Sequence, residues 1–426
     1  MAVLETMGLE AVDRFQQALF WPVLRSMHVG VRIDLERRRE FSHELRDALA
    51  EREAFITEVV GHPINTDSPK QMQALFYHDL AQRVIKDRVS GKPTLDEEAL
   101  GTIAFREPLL QPLVNAMLDE RVIGKLKSTF VDMKLSEDGR ARTSFNICGT
   151  TSYRLASRTD AFDSGGNLEN IPSDKSKMNH KIERRGSTMR MPNVRRMYVP
   201  DPDHIFFDLD LKRADLQIDA WESGDAMLKQ MLREGVDVHQ ENARTMFGPG
   251  ATERQREIAK TGIHLTHKGG KERTLAVQMG ITVREAVAFQ KRWFEAHPAV
   301  LEWHHRLESQ LAATNTVSNV FGYRRYFFER PGSVLGEAIA WIAQSTVARV
   351  INEIWLRLFN SLDWAHTGLG GVLLQVHDSL AGQFPSTIPS AVFDILALSA
   401  VSIPYPDPLV IPVSIKTSSE SWGDCV

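Results

Sequence analysis

Apolar residues recur at helical spacing through the first third of the chain. In FSHELRDALAEREAFITEVV, Phe41, Leu45, Ala48, Leu49, Phe55 and Ile56 return every three or four positions with charges between them, which predicts an amphipathic helix. The pattern breaks at GHPINTDSPKQMQALFY. There Asp67 or Ser68 can cap a helix whose first turn begins at Pro69, with Gln71 as the capping-box residue. A further helix is predicted from about Asp96 to Lys127, ending in the basic cluster RVIGKLKSTF, so this first third is mostly α.

The middle of the chain changes period. TSFNICGTTSYRLASRT is rich in β-branched and hydroxyl residues and predicts short strands and loops. HIFFDLDL predicts a short apolar strand ending in carboxylates. Between 175 and 196 stand eight Lys or Arg and one acid, Glu183, among Gly and Pro breakers, and a solvated loop and a polyanion contact are equally open for that run. Helices return from about Asp225 to Gln310. Beyond them a long helix (EAIAWIAQSTVARVINEIWLRLF) is followed by a hairpin pattern (GVLLQVHDSLAGQF), and no internal repeat or low-complexity tract is present.

Composition narrows the class. The 426 residues allow two to four domains, and 42% hydrophobic with 25% charged residues argues against disorder, collagen and coiled coil. Two cysteines, Cys148 and Cys425, cannot build a disulfide framework, so a reducing, cytoplasmic compartment is expected. No run of eighteen apolar residues exists, and MAVLETMGLEAVDRF has no signal pattern, so neither a membrane partner nor secretion is expected. A net charge of −4 argues against coating nucleic acid through bulk charge but leaves room for a local basic groove.

Candidate chemistry lies first at two strand ends. Asp210 closes Ile205–Leu209, and Asp378 sits where VLLQV turns into SLAGQF. Side by side, two such strands would present carboxylates to a hard divalent cation that shares its sphere with phosphate oxygens. Taken alone, an aspartate at a strand end is more often a turn former. Asp208 shares the face of Asp210 in an extended strand and competes for the same role. In ERQREIAKTGIHLTHKGG, Arg256, Lys260, His264 and Lys268 form one cationic stripe, and a stripe short of carboxylate partners suits a polyanion. A solvated helix face is the plainer account. His239, His264 and His377 are isolated histidines, and no Cys/His set has zinc spacing. The loops YRLAS, NLENIP and FGYRR carry Arg and Asn that can reach minor-groove acceptors, whereas no GxxxxGK[ST] phosphate loop occurs.

In order and spacing, TSYRLAS, NLENIP, HIFFDLDLKRADLQIDAWESGD, DVHQENARTMFG, REIAK, WFEAHPAVLEW, FGYRR, AIAWIAQSTVA, LLQVHDSL and IPVSIKTSSESW resemble family A DNA polymerases. That is the bacterial polymerase I type, also found in phages and mitochondria. GVRIDLERRREF, INTDSPKQMQALF and KLKSTF resemble its thumb, so the likeness spans nearly the whole chain. It implies an α+β right-hand polymerase fold with an antiparallel-sheet palm, helical fingers and helical thumb. Thumb and N-terminal helices would occupy 1–140, the palm 141–225 and 321–426, and the fingers 226–320. It further implies template-directed addition of deoxynucleoside triphosphates to a primer 3′-hydroxyl on primer–template DNA. Two Mg²⁺ ions, with Mn²⁺ as a substitute, would serve the transfer.

Residue by residue, the likeness makes Asp210, Asp378 and the Leu211 carbonyl the metal ligands and leaves Asp208 aside. Arg256 and Lys260 would grip the triphosphate, with Lys260 placed to protonate departing pyrophosphate. His239 would add a phosphate contact. His264 stands where the family carries an aromatic, and Lys268-Gly269 stands in place of its Tyr-Gly. Asp215 matches the glutamate that excludes a ribose 2′-OH and is one methylene shorter, which implies a looser gate. Arg154, Asn170, Gln344 and His377 would line the minor groove, Arg325 of FGYRR would touch DNA, and Lys125 and Lys127 would approach the duplex backbone. The turn reads His-Asp-Ser, with Ser379 in place of the family's Glu, as in single-subunit RNA polymerases. Thumb-like sequence begins early, so no proofreading exonuclease is expected in this chain. A separate exonuclease, helicase or processivity factor would be a partner. The rival readings are a polymerase of relaxed sugar selectivity or an RNA-synthesising relative, and a non-catalytic DNA-binding assembly protein.

Overall fold

The computed structural model describes residues 2–87, 90–159, 165–172, 179, 182–183, 185–187 and 189–425. Its chain forms two compact units.

One unit comprises Val29–Ser144, Ser157–Phe206 and Thr417–Val426. Its longest helix, α1 (Leu35–Val60), starts where the Asp34 carboxylate accepts the amides of Glu36 and Arg37, and it stops at Gly61 in the left-handed region. Ser68 caps the short helix Pro69–Gln73, as expected. The Gln71 side chain, however, accepts from the Asn65 amide and not from the cap residue, so the box stays open. Asp96 caps α2 (Glu97–Arg106). The single helix expected from about 96 to 127 is broken at Pro108, because a proline holds the residue before it out of the helical region (Glu107 φ −124°, ψ 82°) and α3 (Gln111–Leu126) must begin anew. Ile56, Met72, Phe76, Leu100, Ile103 and Met117 close the core among these helices.

A small sheet pairs β1 (Val31–Ile33) with β2 (Arg140–Ala141) on one side and β3 (Tyr198–Val199) on the other. Buried Arg140 donates to both Asp201 oxygens (2.7 and 2.8 Å) and to the Val29 and Gly30 carbonyls, so its charge is fully met. Part of the basic run 175–196 lies outside the described residues. Within it, Arg185 departs from a solvated loop: it donates to Asp119 of α3 (2.7 Å) and Glu97 of α2 (3.0 Å). Burial raises the Asp119 pKa and Arg185 opposes that shift, so the arginine docks where a buried acid needs a cation.

The other unit comprises Met1–His28, Phe145–Ala156 and Phe207–Lys416. It holds most of β4 (His204–Leu211) and β7 (Val413–Ser418) and all of β5 (Gly371–Val376) and β6 (Ser379–Pro385), which form a sheet in the order β7-β4-β6-β5. Along β4, Phe207, Leu209 and Leu211 are buried, while Asp208 and Asp210 alternate onto the more open face. β5 and β6 pair antiparallel with Val376 opposite Ser379, which leaves His377 and Asp378 as a two-residue turn. Gly382 lets β6 lie close: a Cβ there would stand 2.3 Å from the Gly371 carbonyl oxygen and 2.7 Å from the Phe207 ring.

Helices cover this sheet and extend beyond it: α4 (Ala214–Ser223), α5 (Val238–Phe247), α6 (Glu253–His267), α7 (Val283–Ala296), α8 (Pro298–Thr314) and α9 (Pro331–Ser361). Among the described residues α9 alone has the length and apolarity of a membrane span, but 67% of that window is buried inside the protein. It is a core helix, and its buried Asn352 accepts from Gln375 of β5 (3.0 Å).

Candidate active site

The two carboxylates that the sequence singled out lie at neighbouring strand ends. The Leu211 N–H donates to the Asp378 carbonyl (3.3 Å), so the turn between β5 and β6 sits against the end of β4, one residue beyond Asp210. The turn has an unusual backbone. His377 takes φ 57°, a region that side chains other than glycine visit seldom, and such strain is retained where the surroundings impose it. Ser379 Oγ donates to the Val376 carbonyl (2.9 Å) and staples the turn from within, a role that needs no charge. Burial raises the Asp378 pKa. Arg154 and His377 oppose that shift and Asp215 adds to it, so these side chains share one electrostatic neighbourhood. Arg154 Nε is buried with no hydrogen-bond partner among the described residues. Asp215 stands in the first turn of α4.

The cationic stripe occupies α6, whose start is secured by a capping box between Thr252 and Gln255. A stripe short of carboxylates was expected, and the structure corrects this. Glu253 and Glu257 of α6 itself flank Arg256, and two further acids, Asp237 and Asp219, come from other elements, which helical periodicity cannot reveal. Arg256 donates from Nε and Nη2 to one oxygen of Asp237 (3.0 and 2.8 Å) and from Nη1 to Glu253 (3.0 Å) and Glu257 (3.1 Å). The other Asp237 oxygen caps α5 through the amides of His239 and Gln240. Burial works to raise the Asp237 pKa, yet Arg256 and the helix amides outweigh it and the net shift is downward. Among the described residues, Lys260 makes only a long contact of 4.0 Å to Glu257. Lys268 reaches back to Asp219 of α4.

The His239 and His264 rings stack at 6.4 Å. Burial drives the His239 pKa down to about 4, with the cations of α6 adding to the effect and Asp237 opposing it, so this ring is neutral at pH 7. His264 has an exposed edge. The surrounding chain still desolvates it enough to lower its pKa, with Lys268 and Lys260 adding and Asp215 opposing.

The unit that holds Asp210 and Asp378 thus also holds Leu211, Asp215, His239, Arg256, Lys260, His264, Arg154, Gln344, His377 and Arg325. Gln344 is half-buried on α9. Arg325 is an ion-pair partner of Glu337 and lies 4.5 Å over the Phe327 ring. Asn170, Lys125 and Lys127 belong to the other unit, where Lys127 pairs with Asp132. Sequence reasoning missed Asp237 and Asp219. The first carries a signal, an Asx cap before VHQEN; the second lies one helical turn after Asp215 and gives none.

Comparisons with known proteins bear on the fold and the family. The family model described as DNA polymerase family A matches residues 35–423. The chain is 29% identical over 412 residues to the thermostable DNA polymerase I of Thermus aquaticus, covering 92% of this chain and 46% of that protein. It is 28% identical to the DNA polymerase I of Treponema pallidum, covering 99% of this chain and 41% of that one. It therefore spans about half the length of the curated relatives it matches. Among solved structures, the POL domain of Pol1 from M. smegmatis, in complex with DNA primer-template and dNTP, superposes with a TM-score of 0.83 at 23% identity, covering 99% of this chain and 72% of that one. That likeness carries the α+β fold, and the match over 35–423 carries the kinship: this chain belongs to DNA polymerase family A.

Proposed function

We propose that this chain is a template-directed DNA polymerase that joins deoxynucleoside triphosphates to a primer 3′-hydroxyl on primer–template DNA. The observation that carries the reading is the bond from Leu211 N–H to the Asp378 carbonyl, which sets two acidic strand ends side by side in the unit that also holds the α6 cations. Thumb, palm and fingers are assigned to 1–140, 141–225 with 321–426, and 226–320.

Among the described residues no cluster of three or more His, Cys, Asp or Glu could cage a metal. Two carboxylates and a carbonyl instead suit a hard cation such as Mg²⁺ that takes few protein ligands and shares phosphate oxygens. Asp378 fits that use, because burial disfavours its charge and a cation would restore it. Asp210, Asp378 and the Leu211 carbonyl would hold two such ions. When bound, they would lower the pKa of the primer hydroxyl and neutralise charge on the leaving group.

The chain's own residues do the rest. Arg256 forks onto a phosphate once it exchanges Asp237 for the triphosphate, and Lys260 stands as a mobile point charge one turn on, placed to give a proton to departing pyrophosphate. Neutral His239 offers a phosphate oxygen a hydrogen bond without adding charge. Asp215 crowds the 2′ position of the incoming sugar, and its short side chain makes this gate looser than a glutamate would. Arg154 and Gln344 face the growing end of the primer.

Primer extension on a defined template tests this. Asp210→Asn or Asp378→Asn should lower extension by roughly a thousandfold or more while changing primer–template binding less than about twofold. A variant that extends at the wild-type rate removes its residue from the metal site. Ribonucleotides form a second arm: Asp215→Glu should tighten their exclusion by about tenfold, and preference of the wild type for ribonucleotides would make it an RNA-synthesising relative.

A further inference from the structure

Lys268, the last member of the α6 stripe, is not available to a phosphate. Its ammonium lies 3.3 and 3.2 Å from the two oxygens of Asp219, a side chain of α4 that is 4% exposed. His267 Nδ1 stands 3.6 Å from the same carboxylate. Its ring is buried, neither nitrogen has a hydrogen-bond partner among the described residues, and burial holds its pKa well below the usual value, so it supplies no charge. Lys268 is thus the fixed cation that Asp219 bonds among the described residues. Burial raises the Asp219 pKa to about 6, with Lys268 opposing and Asp215 adding. An acid so placed loses heavily if its cation leaves.

The backbone of Lys268 is held too. Its carbonyl presses on Gly336 of α9, where a Cβ would lie 2.5 Å from the oxygen, and the chain then turns away at Gly269 with φ 67°. One helical turn earlier on both partners, His264 feels the charge of Asp215. Lys268 follows the last residue of α6, so its pair with Asp219 ties the C-terminal end of that helix to α4, which begins four residues after Asp210.

We propose that the Lys268–Asp219 ion pair is a positioning tether that holds the cationic face of α6 at a set distance from the carboxylate at the end of β4, and thereby sets nucleotide affinity. The inference rests on the polymerase reading for its consequence, though not for the tether itself. Splitting the stripe in this way gives its members different tasks: Arg256 and Lys260 meet the ligand, and Lys268 fixes where they stand.

The test uses the full chain with Lys268→Met, Lys268→Arg and Asp219→Asn. Lys268→Met should raise the KM for the incoming deoxynucleotide about tenfold, with kcat lowered less than about threefold and primer–template affinity changed less than about twofold. Lys268→Arg keeps the charge and should stay within about threefold of the wild-type KM. Without DNA or nucleotide, the amides of residues 264–270 should exchange about tenfold faster in Lys268→Met than in wild type. If Lys268→Met does not fold by circular dichroism, Asp219→Asn, which keeps the side-chain shape, is expected to give the same shifts. An unchanged KM, an arginine variant as impaired as the methionine one, or parallel losses in KM, kcat and DNA binding would each overturn the proposal. A wild type that extends no primer sinks the polymerase reading instead; the exchange measurement then decides the tether, and unchanged exchange overturns it.

Discussion

In the proposed reaction Arg256 must leave Asp237 before it can bind a phosphate, and the geometry sets the size of that penalty. Asp237 divides its oxygens: Oδ2 takes two donors of Arg256, and Oδ1 takes the His239 and Gln240 amides. Asp237→Asn keeps an acceptor for the helix cap and turns an amide N–H₂ toward the guanidinium, so it removes the ion pair and spares α5. The Asp237 side chain is 43% exposed and that of Arg256 23%, so solvent screens the pair and about 1 kcal/mol is a fair value for it. The Glu253 and Glu257 contacts are more open still, at 76% and 56%, and add little. Releasing Arg256 from Asp237 should therefore tighten nucleotide binding roughly fivefold. Single-turnover incorporation titrated with deoxynucleotide on a primer–template measures this. In an Arg256→Met background the gain should vanish, since the two changes act on one contact. Weaker nucleotide binding in Asp237→Asn would refute the reasoning and make Asp237 a device that aims Arg256. An equal gain without Arg256 would refute it too.

Two further outcomes follow from the geometry. Gly382→Ala would drive a Cβ into the Gly371 carbonyl and the Phe207 ring, which should destabilise the chain by about 1–3 kcal/mol in urea and lower extension, because β6 begins beside Asp378. For His304 of α8, burial lowers the pKa to about 4, while its Nε2 donates to the His267 carbonyl (3.0 Å). A group whose folded pKa lies below its unfolded value stabilises the fold fully above the unfolded pKa. That stability is lost as pH falls from about 6.5 toward about 4, where the unfolded chain binds the extra proton. His304→Gln should flatten the pH dependence of the urea midpoint in that window, and an unaltered slope would assign the dependence to other groups.

Much of the fold was legible because it is written in local rules. The period of Phe41 to Ile56 marks α1, the alternation in HIFFDLDL marks β4 with Asp210 on its open face, and VLLQVHDSLAGQF marks the hairpin that carries Asp378. The helix expected from 96 to 127 failed at one residue, Pro108, where a local rule present in the sequence outranked the hydrophobic period. For the candidate site, the kind of each side chain was legible and the pairings were not. Arg256 and Lys268 read as a bare cationic stripe, yet Asp237 and Asp219 answer them from helices 19 and 49 residues away in the chain.

What the chain determined alone is whatever depends on neighbours within a few residues: periodicity, caps, turns and the chemical kind of each side chain. Tertiary structure decided which acid meets which base, how far Asp378 is desolvated, and that Arg185 docks on buried Asp119 and does not trail in solvent. The reason is physical. Burial and Coulomb energy depend on distance through space, and residues far apart in sequence enter that sum only once the chain has folded.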